Sequence, residues 1–362
     1  MSRRQEVDHH GEPAEYLAAL SIGPLDDHDS RAWDSYVESQ ATGSFYHLHG
    51  WKDVNEGALG HTCEYVVARQ ADGSIVGALP LVLVESRLFG RILCSMPFVN
   101  YGGPVSGSVA VATLLAGHAA LRAGFLDADY LELRCPSELS SGMAVSTRKV
   151  SMTVPLQRDP DKLMASFTSK HRTQIRRSFK NQLVVEHGGV ELLPAFYEVL
   201  ERSWRDLGTP LYRRRYFECV LEAFPTKTTI FVCRASGRPA AVALNGYSHG
   251  TVEGMWAGID PDLRHVQPNY ALYWEMLRHA CEAGFQRFHL GRSTANTGAE
   301  SFKEKWLATP SQLYWYFHRP KGGEMPGLNV DNPKYRLAIA AWKRLPMWAT
   351  RAIGPHLARL IP

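Results

Sequence analysis

The chain has 362 residues, 45% hydrophobic and 21% charged, with a formal charge of +4. That length fits two domains or one large one, and the composition is that of a soluble globular protein, which excludes disordered and fibrous classes. The mild positive charge permits an anionic partner without demanding one. Six cysteines (Cys63, Cys94, Cys135, Cys219, Cys233 and Cys281) include no CxxC pair, so they read as reduced core residues and not as a disulfide scaffold or zinc site. No bound metal is expected. The opening MSRRQEVDHHGEPAEY has no apolar h-region, and no run approaches the ~18 apolar residues of a membrane span. The expected compartment is the cytoplasm.

Residues 1–20 read as a loose polar tail. Arg31–Gln40 predicts a short helix with Trp33, Tyr36 and Val37 inward, and a second helix opens near Leu48. Cys63–Arg69 alternates as a strand, and Asp72-Gly73 signals a hairpin turn. Ser74–Glu85 and Arg91–Met96 predict further strands. The loop PFVNYGGP (Pro97–Pro104) follows, then an apolar helix over Val109–Ala123 and the strand YLELR (Tyr130–Arg134). From Asp161 the character changes. Asp161–Gln182 predicts a strongly basic helix, Glu191–Leu207 a second helix, and Gly208–Phe217 a loop. Thr229–Ala235, Pro239–Tyr247 and Thr251–Ala257 predict a meander with turns at Ser236-Gly237 and His249-Gly250. A helix over Asn269–Cys281 ends at Gly284, a C′ glycine. A short strand through Phe288 and Leu290 runs into the polar loop Gly291–Ser301, and Leu313–Phe317 predicts a last strand buried on both faces.

HAALRAGF (His118–Phe125) before YLELR is echoed by HACEAGF (His279–Phe285) before FHLGR. Each follows meander strands and leads into a strand ending in Arg, so the chain reads as two copies of one α/β unit. The expected boundaries are 21–155 and 156–320, with 321–362 a basic amphipathic C-terminal segment.

The strings SKHRTQIRRSFK (Ser169–Lys180), DLGTPLYRRRYF (Asp206–Phe217), PNYALYW (Pro268–Trp274), GRST (Gly291–Thr294) and FKEKW (Phe302–Trp306) resemble the FemAB-related, Fem/MurM-like family. Within it they resemble the subfamily associated with exosortase/PEP-CTERM exopolysaccharide systems, as do FVNYGG and LELR. The resemblance covers roughly Ser44–Phe317. It implies an α/β (α+β) fold of two tandem GNAT-like acyltransferase domains with mixed, largely antiparallel sheets. It also implies transfer of an acyl or aminoacyl group to a cell-envelope or exopolysaccharide/peptidoglycan precursor, since the family's better-known members take amino acids from aminoacyl-tRNA. In that subfamily the strand before GRS often carries an acidic residue. Here the position is His289; if that acid is catalytic in the subfamily, its role is either lost in this chain or changed to imidazole chemistry.

Acyl transfer to an amine needs a base, an oxyanion donor and a place where donor and acceptor meet. Glu253, His289 and Tyr273 are the catalytic candidates. Glu253 sits inside the apolar strand TVEGMWA as a potential base; strand parity sets it opposite Trp256, and the competing reading is a solvent-facing carboxylate. Tyr273 could protonate a leaving group or simply pack at a core edge. Arg292, Ser293 and Lys303 are candidates for a substrate anion, since Arg grips carboxylate or phosphate in bidentate fashion; the competing reading is surface charge, or pairing of Arg292 with Glu300 or Glu304. Asn269, Asn245 and Tyr212 complete the substrate-binding set, Asn269 competing with a capping role. Lys170, Arg172, Arg176, Arg177 and Lys180 form basic lines on one helix, suited to tRNA or diphosphate, against the reading of a solvated face. In the first half His47, Asn100, Tyr101, Glu132 and Arg134 read as a structural turn with a Glu132–Arg pair, and chemistry is placed in the second half.

No bound cofactor is expected. The co-substrate is aminoacyl-tRNA or acyl-CoA. The loop Asp260–Pro268 lacks the R/Q-x-x-G-x-G/A phosphate cradle of coenzyme A-binding GNAT enzymes, which counts against acetyl-CoA. Expected partners are a glycan or lipid-linked glycan precursor and tRNA, not DNA. Trp342, Trp348 and Ile353 of the C-terminal segment either touch the inner membrane peripherally or pack back on the protein. Two readings compete with the first: an acyl-CoA-dependent N-acetyltransferase, and a non-catalytic FemAB-like binding or assembly protein of polysaccharide biosynthesis.

Overall fold

The structure is a computed structural model that describes residues 14–86, 89–294, 298–323 and 333–361. Residues 1–13 of the expected tail and 295–297 of the polar loop lie outside these. The strands, in chain order, are β1 (Ser21–Pro24), β2 (Thr62–Cys63), β3 (Val66–Arg69), β4 (Ile75–Leu79), β5 (Val82–Ser86), β6 (Gly90–Cys94), β7 (Tyr130–Cys135) and β8 (Ala144–Ser146). They continue with β9 (Lys149–Pro155), β10 (Leu183–Gly188), β11 (Thr228–Ala235), β12 (Arg238–Ser248), β13 (Thr251–Ile259), β14 (Arg287–Thr294), β15 (Thr309–Gln312) and β16 (Tyr314–His318).

The two halves repeat one plan. In the first, β5 and β6 pair antiparallel, the helix Val109–Phe125 crosses over, and β7 returns parallel to β6. In the second, β12 and β13 pair antiparallel, the helix Pro268–Glu282 crosses over, and β14 returns parallel to β13. Both helices are locally encoded. Ser108 caps the first through the Val111 amide, and Pro268 opens the second. Two GNAT-like domains therefore stand in tandem.

The halves exchange strands. Beside a small sheet β1-β3-β4 in the first half, the two main sheets, called first and second below, have the orders β2-β5-β6-β7-β16-β8 and β10-β11-β12-β13-β14-β9-β15. Beside β7, at the centre of the first sheet, lies β16 from the far end of the chain; beside β14 lies β9, from before the second half begins. The boundaries 21–155 and 156–320 therefore do not divide the sheets, because 149–155 belongs to the second sheet and 314–318 to the first. Alternation within a strand fixes its faces but not its partners, which are non-local.

Packing follows from this. One core joins the halves, with Trp33, Phe45 and Trp51 from the first against Phe196, Phe217 and Trp256 from the second. A second core lies on the other face of the second sheet, under Leu272, Trp274 and Leu277. A third lies under Leu115 and Ala119 of the first crossover helix. Several expectations change. Residues 14–18 form a helix, and Tyr16 and Leu17 pack on the first-half core. The basic segment is two helices, Pro160–Ser166 and Ser169–Lys180, interrupted at Phe167, which is extended. β16 has Tyr316 buried and its other residues half-buried. No described helix is long and apolar enough to cross a membrane.

Candidate active site between the two halves

β13 and β14 pair over three residues, Thr251–Glu253 against Arg287–His289, and part beyond that point. Directly cross-strand residues share a sheet face, so Glu253 and His289 stand side by side where the strands split. His289 is also opposite Thr153 of β9. Ser151, two residues from Thr153, lies on that same face. Three adjacent strands thus carry Glu253, His289 and Ser151 in one row, and all three are buried.

The hydrogen bonds fix the protons. Glu253 Oε2 is 2.6 Å from His289 Nδ1, and Glu253 Oε1 accepts from the Tyr101 hydroxyl at 2.5 Å. With the carboxylate accepting, Nδ1 carries the imidazole proton and Nε2 offers its lone pair. Ser151 Oγ is in contact with that Nε2. Tyr101 comes from the FVNYGG loop of the first half, so the row is completed across the interface. Gly254, just past Glu253, lets the strands stay close: a Cβ there would meet the His289 carbonyl oxygen at 3.0 Å.

The row floors a cavity of about 310 Å³. Its walls are Thr251, Thr153 and Arg287 of the second sheet, residues 41–44 and Tyr101 of the first half, and Pro136-Ser137. Ser248 Oγ and His249 Nε2 also line it and are buried without a hydrogen-bond partner among the described residues. His47 braces one wall. Its Nε2–H donates to the Gly103 carbonyl at 3.0 Å, so Nδ1 accepts from Ser44 Oγ at 2.8 Å. Burial pulls the His47 pKa down to about 4.

The remaining sequence candidates are distributed as follows. Arg292 lies on the same face as the row. Gly291, with φ of 75°, sits in a bulge that brings Arg292 into register with Ser151. Its guanidinium donates to the Val99 carbonyl at 3.3 Å and lies 5.3 Å from the Trp315 ring, over which Arg134 also sits at 4.6 Å. Burial and the neighbouring Arg134 pull the Arg292 pKa down to about 10. Arg134 is balanced by Glu132 at 2.6 Å, the pair expected from the sequence. Lys303 Nζ donates to the carbonyls of Gly291 and Arg292 at 3.0 and 2.9 Å, clasping the strand exit. Burial, then Arg292, lowers its pKa to about 8. The Ser293 hydroxyl is buried without a partner among the described residues.

Others lie apart from the row. Tyr273 is on the opposite face of the sheet, stacked on Trp306 at 5.5 Å, and burial raises its pKa to about 12. Asn245 is on that opposite face too, buried with both amide atoms unpartnered among the described residues. Asn269 is half-buried in the first turn of its helix. Tyr212 is core, 4.4 Å from the Tyr216 ring, and not an exposed stacking group. Arg172 donates to the Ala165 and Phe167 carbonyls and ties the two basic helices together, whereas Lys170, Arg176, Arg177 and Lys180 are exposed. The parity argument for Trp256 fails. A bulge at Met255 pairs Trp256 with Leu244 and Glu253 with Gly246, which places both on one face; Trp256 packs on Trp51 and Phe217, away from the cavity lining.

Sequence reasoning did not single out Ser151. Its signal is the alternation in KVSMTVP, where Ser151 and Thr153 interrupt buried Val150, Met152 and Val154. That marks a strand with one polar face, but not the side chains it meets. Tyr101 was read as part of a turn and instead holds the carboxylate of the row.

Residues 166–304 match a family described as Acetyltransferase (GNAT) domain. The fold as a whole is similar to FemX, at 14% identity and a TM-score of 0.63, covering 88% of this chain and 100% of that one. It is similar to the C-terminal domain of a putative lysylphosphatidylglycerol synthetase from Agrobacterium fabrum, at 13% identity and a TM-score of 0.55, over 87% and 94% of the two chains. It is also similar to a tandem GNAT protein from the clavulanic acid biosynthesis pathway, at 14% identity and a TM-score of 0.54, over 84% and 100%. No curated protein matches. The class is thus defined by fold: a FemAB-like tandem GNAT architecture, with a polar row at the junction of its halves.

Proposed function

We propose that this chain transfers an acyl or aminoacyl group to an amine on a cell-envelope or exopolysaccharide precursor, with His289 as general base and Glu253 as its positioning residue. The observation that carries the reading is the Glu253–His289 pair, set where β13 and β14 part and opening on a cavity between the halves. An imidazole held by a carboxylate at Nδ1 presents Nε2 to an incoming proton. A cavity walled by both halves is a place where donor and acceptor can meet. The match to an acetyltransferase domain supports the reaction class, and the likeness to FemX supports the architecture.

The donor in this reading is an activated ester or thioester on a phosphate-bearing carrier, aminoacyl-tRNA or acyl-CoA, and Lys170, Arg176, Arg177 and Lys180 offer it an exposed basic face. The acceptor is a glycan or lipid-linked glycan precursor of the kind the exosortase/PEP-CTERM resemblance implies. Lys303 clasps the strand exit beside the row and Arg134 is paired with Glu132, so the positive charge this reading offers an acceptor anion is that of Arg292 and Lys303, with the Ser293 hydroxyl beside them. We place the protein in the cytoplasm, at the inner membrane through its C-terminal helices. There Trp348 is 73% and Leu337 72% exposed, while Trp342 is buried against the protein. Titrating the protein with coenzyme A and with tRNA by calorimetry separates the donors. Binding of either, with a product lost in His289→Ala, supports transfer; binding of neither, with an unchanged product, supports the non-catalytic reading.

A further inference from the structure

The general-base reading leaves one group of the row unused. The Ser151 hydroxyl stands on His289 Nε2, and both side chains line the cavity. The imidazole is already oriented by Glu253, and Glu253 by Tyr101, so Ser151 is not needed to hold the ring. Hydroxyl, imidazole and carboxylate follow one another through Nε2 and Nδ1, the order that converts a serine into a nucleophile. Ser151 also lines the cavity, as do the unpartnered Ser248 Oγ and His249 Nε2, polar atoms available to a bound acyl donor.

We propose that Ser151 is an acyl-accepting nucleophile and that transfer proceeds through an acyl-serine ester. The proposal rests on the cavity being the transfer site. Ser151 Oγ attacks the carbonyl carbon of an ester or thioester donor while its proton passes to His289 Nε2. The bond from carbonyl carbon to the donor's oxygen or sulfur breaks, and the leaving alcohol or thiol takes that proton. The acceptor amine then attacks the serine ester and gives a proton to Nε2. The ester C–O bond breaks, and Nε2 returns the proton to Ser151 Oγ. The sum is amide plus free alcohol or thiol, with no change of oxidation state and no further reactant. An esterase activity toward small activated esters follows, because water can replace the amine.

The test uses the full chain and two probes, a fluorophosphonate and p-nitrophenyl acetate without acceptor, with peptide mass spectrometry to place the adduct. The expected result is modification of Ser151 by both, absent in Ser151→Ala and slowed at least about 10²-fold in His289→Ala. Ser151→Cys, of nearly the same shape, is expected to retain acylation by the ester, which separates lost chemistry from lost folding. No adduct on Ser151, or equal labelling in His289→Ala, overturns the proposal. A cellular product that persists in Ser151→Ala but vanishes in His289→Ala overturns the serine step alone. A product that persists in both overturns the transfer reading beneath it.

Discussion

Ser151 and His289 are 138 residues apart in sequence and meet side chain to side chain across β9 and β14. The contact exists because β9 leaves the first half to enter the second sheet. The polar row is therefore a product of the strand exchange, and Tyr101 ties it back to the first half through Glu253. Fold and site depend on the same non-local pairing.

The first prediction concerns the proton on His289. With Glu253 and Tyr101 in place, the neutral ring is expected as the Nδ1–H tautomer, read from the ¹⁵N shifts of labelled histidine. Glu253→Gln presents an amide that can be satisfied from either side and is expected to mix the tautomers. In a transfer assay it is expected to lower kcat with little change in KM, because the residue positions the base without touching the donor. A pure Nε2–H form in the unsubstituted protein contradicts the assignment.

Acid stability follows from His47. Its folded pKa of about 4 lies below the ordinary 6.5. Between these values the unfolded chain binds a proton that the folded chain excludes, so stability is full above about pH 6.5 and falls as pH drops toward 4. The loss is on the order of 3 kcal/mol for a fully buried imidazole. His171, also lowered to about 4, acts in the same direction. Urea unfolding between pH 7 and 4 is expected to show this decline, with a shallower slope in His47→Gln. A flat profile contradicts the burial of these rings.

The interlocked sheets predict a single unfolding event. Removing β16 from the first sheet or β9 from the second opens an interior position in each, next to the edge strand β8 or β15. Near-UV and far-UV circular dichroism are expected to report coincident urea transitions. Two separated transitions indicate halves that fold alone.

Much of the local structure was legible in the sequence. Turn signals at Asp72-Gly73, Ser236-Gly237 and His249-Gly250 delimit the meanders, and the paired AGF triplets mark the two crossovers. Glu253 was visible as an odd polar residue in an apolar strand, and His289 as a departure from the acidic residue of the subfamily the chain resembles. Three things were not visible. Sheet membership of β9 and β16 depends on contacts across the whole chain. Bulges at Met255 and at Leu290–Gly291 reset strand parity, which moved Trp256 and Arg292 to the face of Glu253. Burial of Tyr212, in the loop before the helix Arg214–Ala223, and of Tyr273, on the helix Pro268–Glu282, depends on which elements pack over them, and aromatic side chains with a polar tip fit either environment.

The exposed basic face gives a salt-dependent prediction. If the donor is tRNA, replacing Lys170, Arg176, Arg177 and Lys180 by Gln weakens binding and flattens the slope of log K against log salt by up to about 3. Arg172→Gln is expected instead to lower stability, since its guanidinium bonds backbone carbonyls. Equal slopes before and after the four substitutions remove this face from donor binding.

Contact with the membrane is tested on Trp348 and Leu337. Their replacement by Glu is expected to reduce sedimentation with anionic phospholipid vesicles at least several-fold while leaving thermal stability near that of the parent, as both are exposed. Unchanged sedimentation assigns the segment to packing alone.

The central claim, acyl transfer that depends on His289, is tested most directly by mass spectrometry of the lipid-linked precursor and finished polysaccharide from cells lacking the protein, carrying it, or carrying His289→Ala at matched abundance. The expected result is an added acyl or aminoacyl mass on an amine-bearing unit with the parent protein, absent from the other two. Identical masses in all three, or an addition that survives His289→Ala, would contradict it.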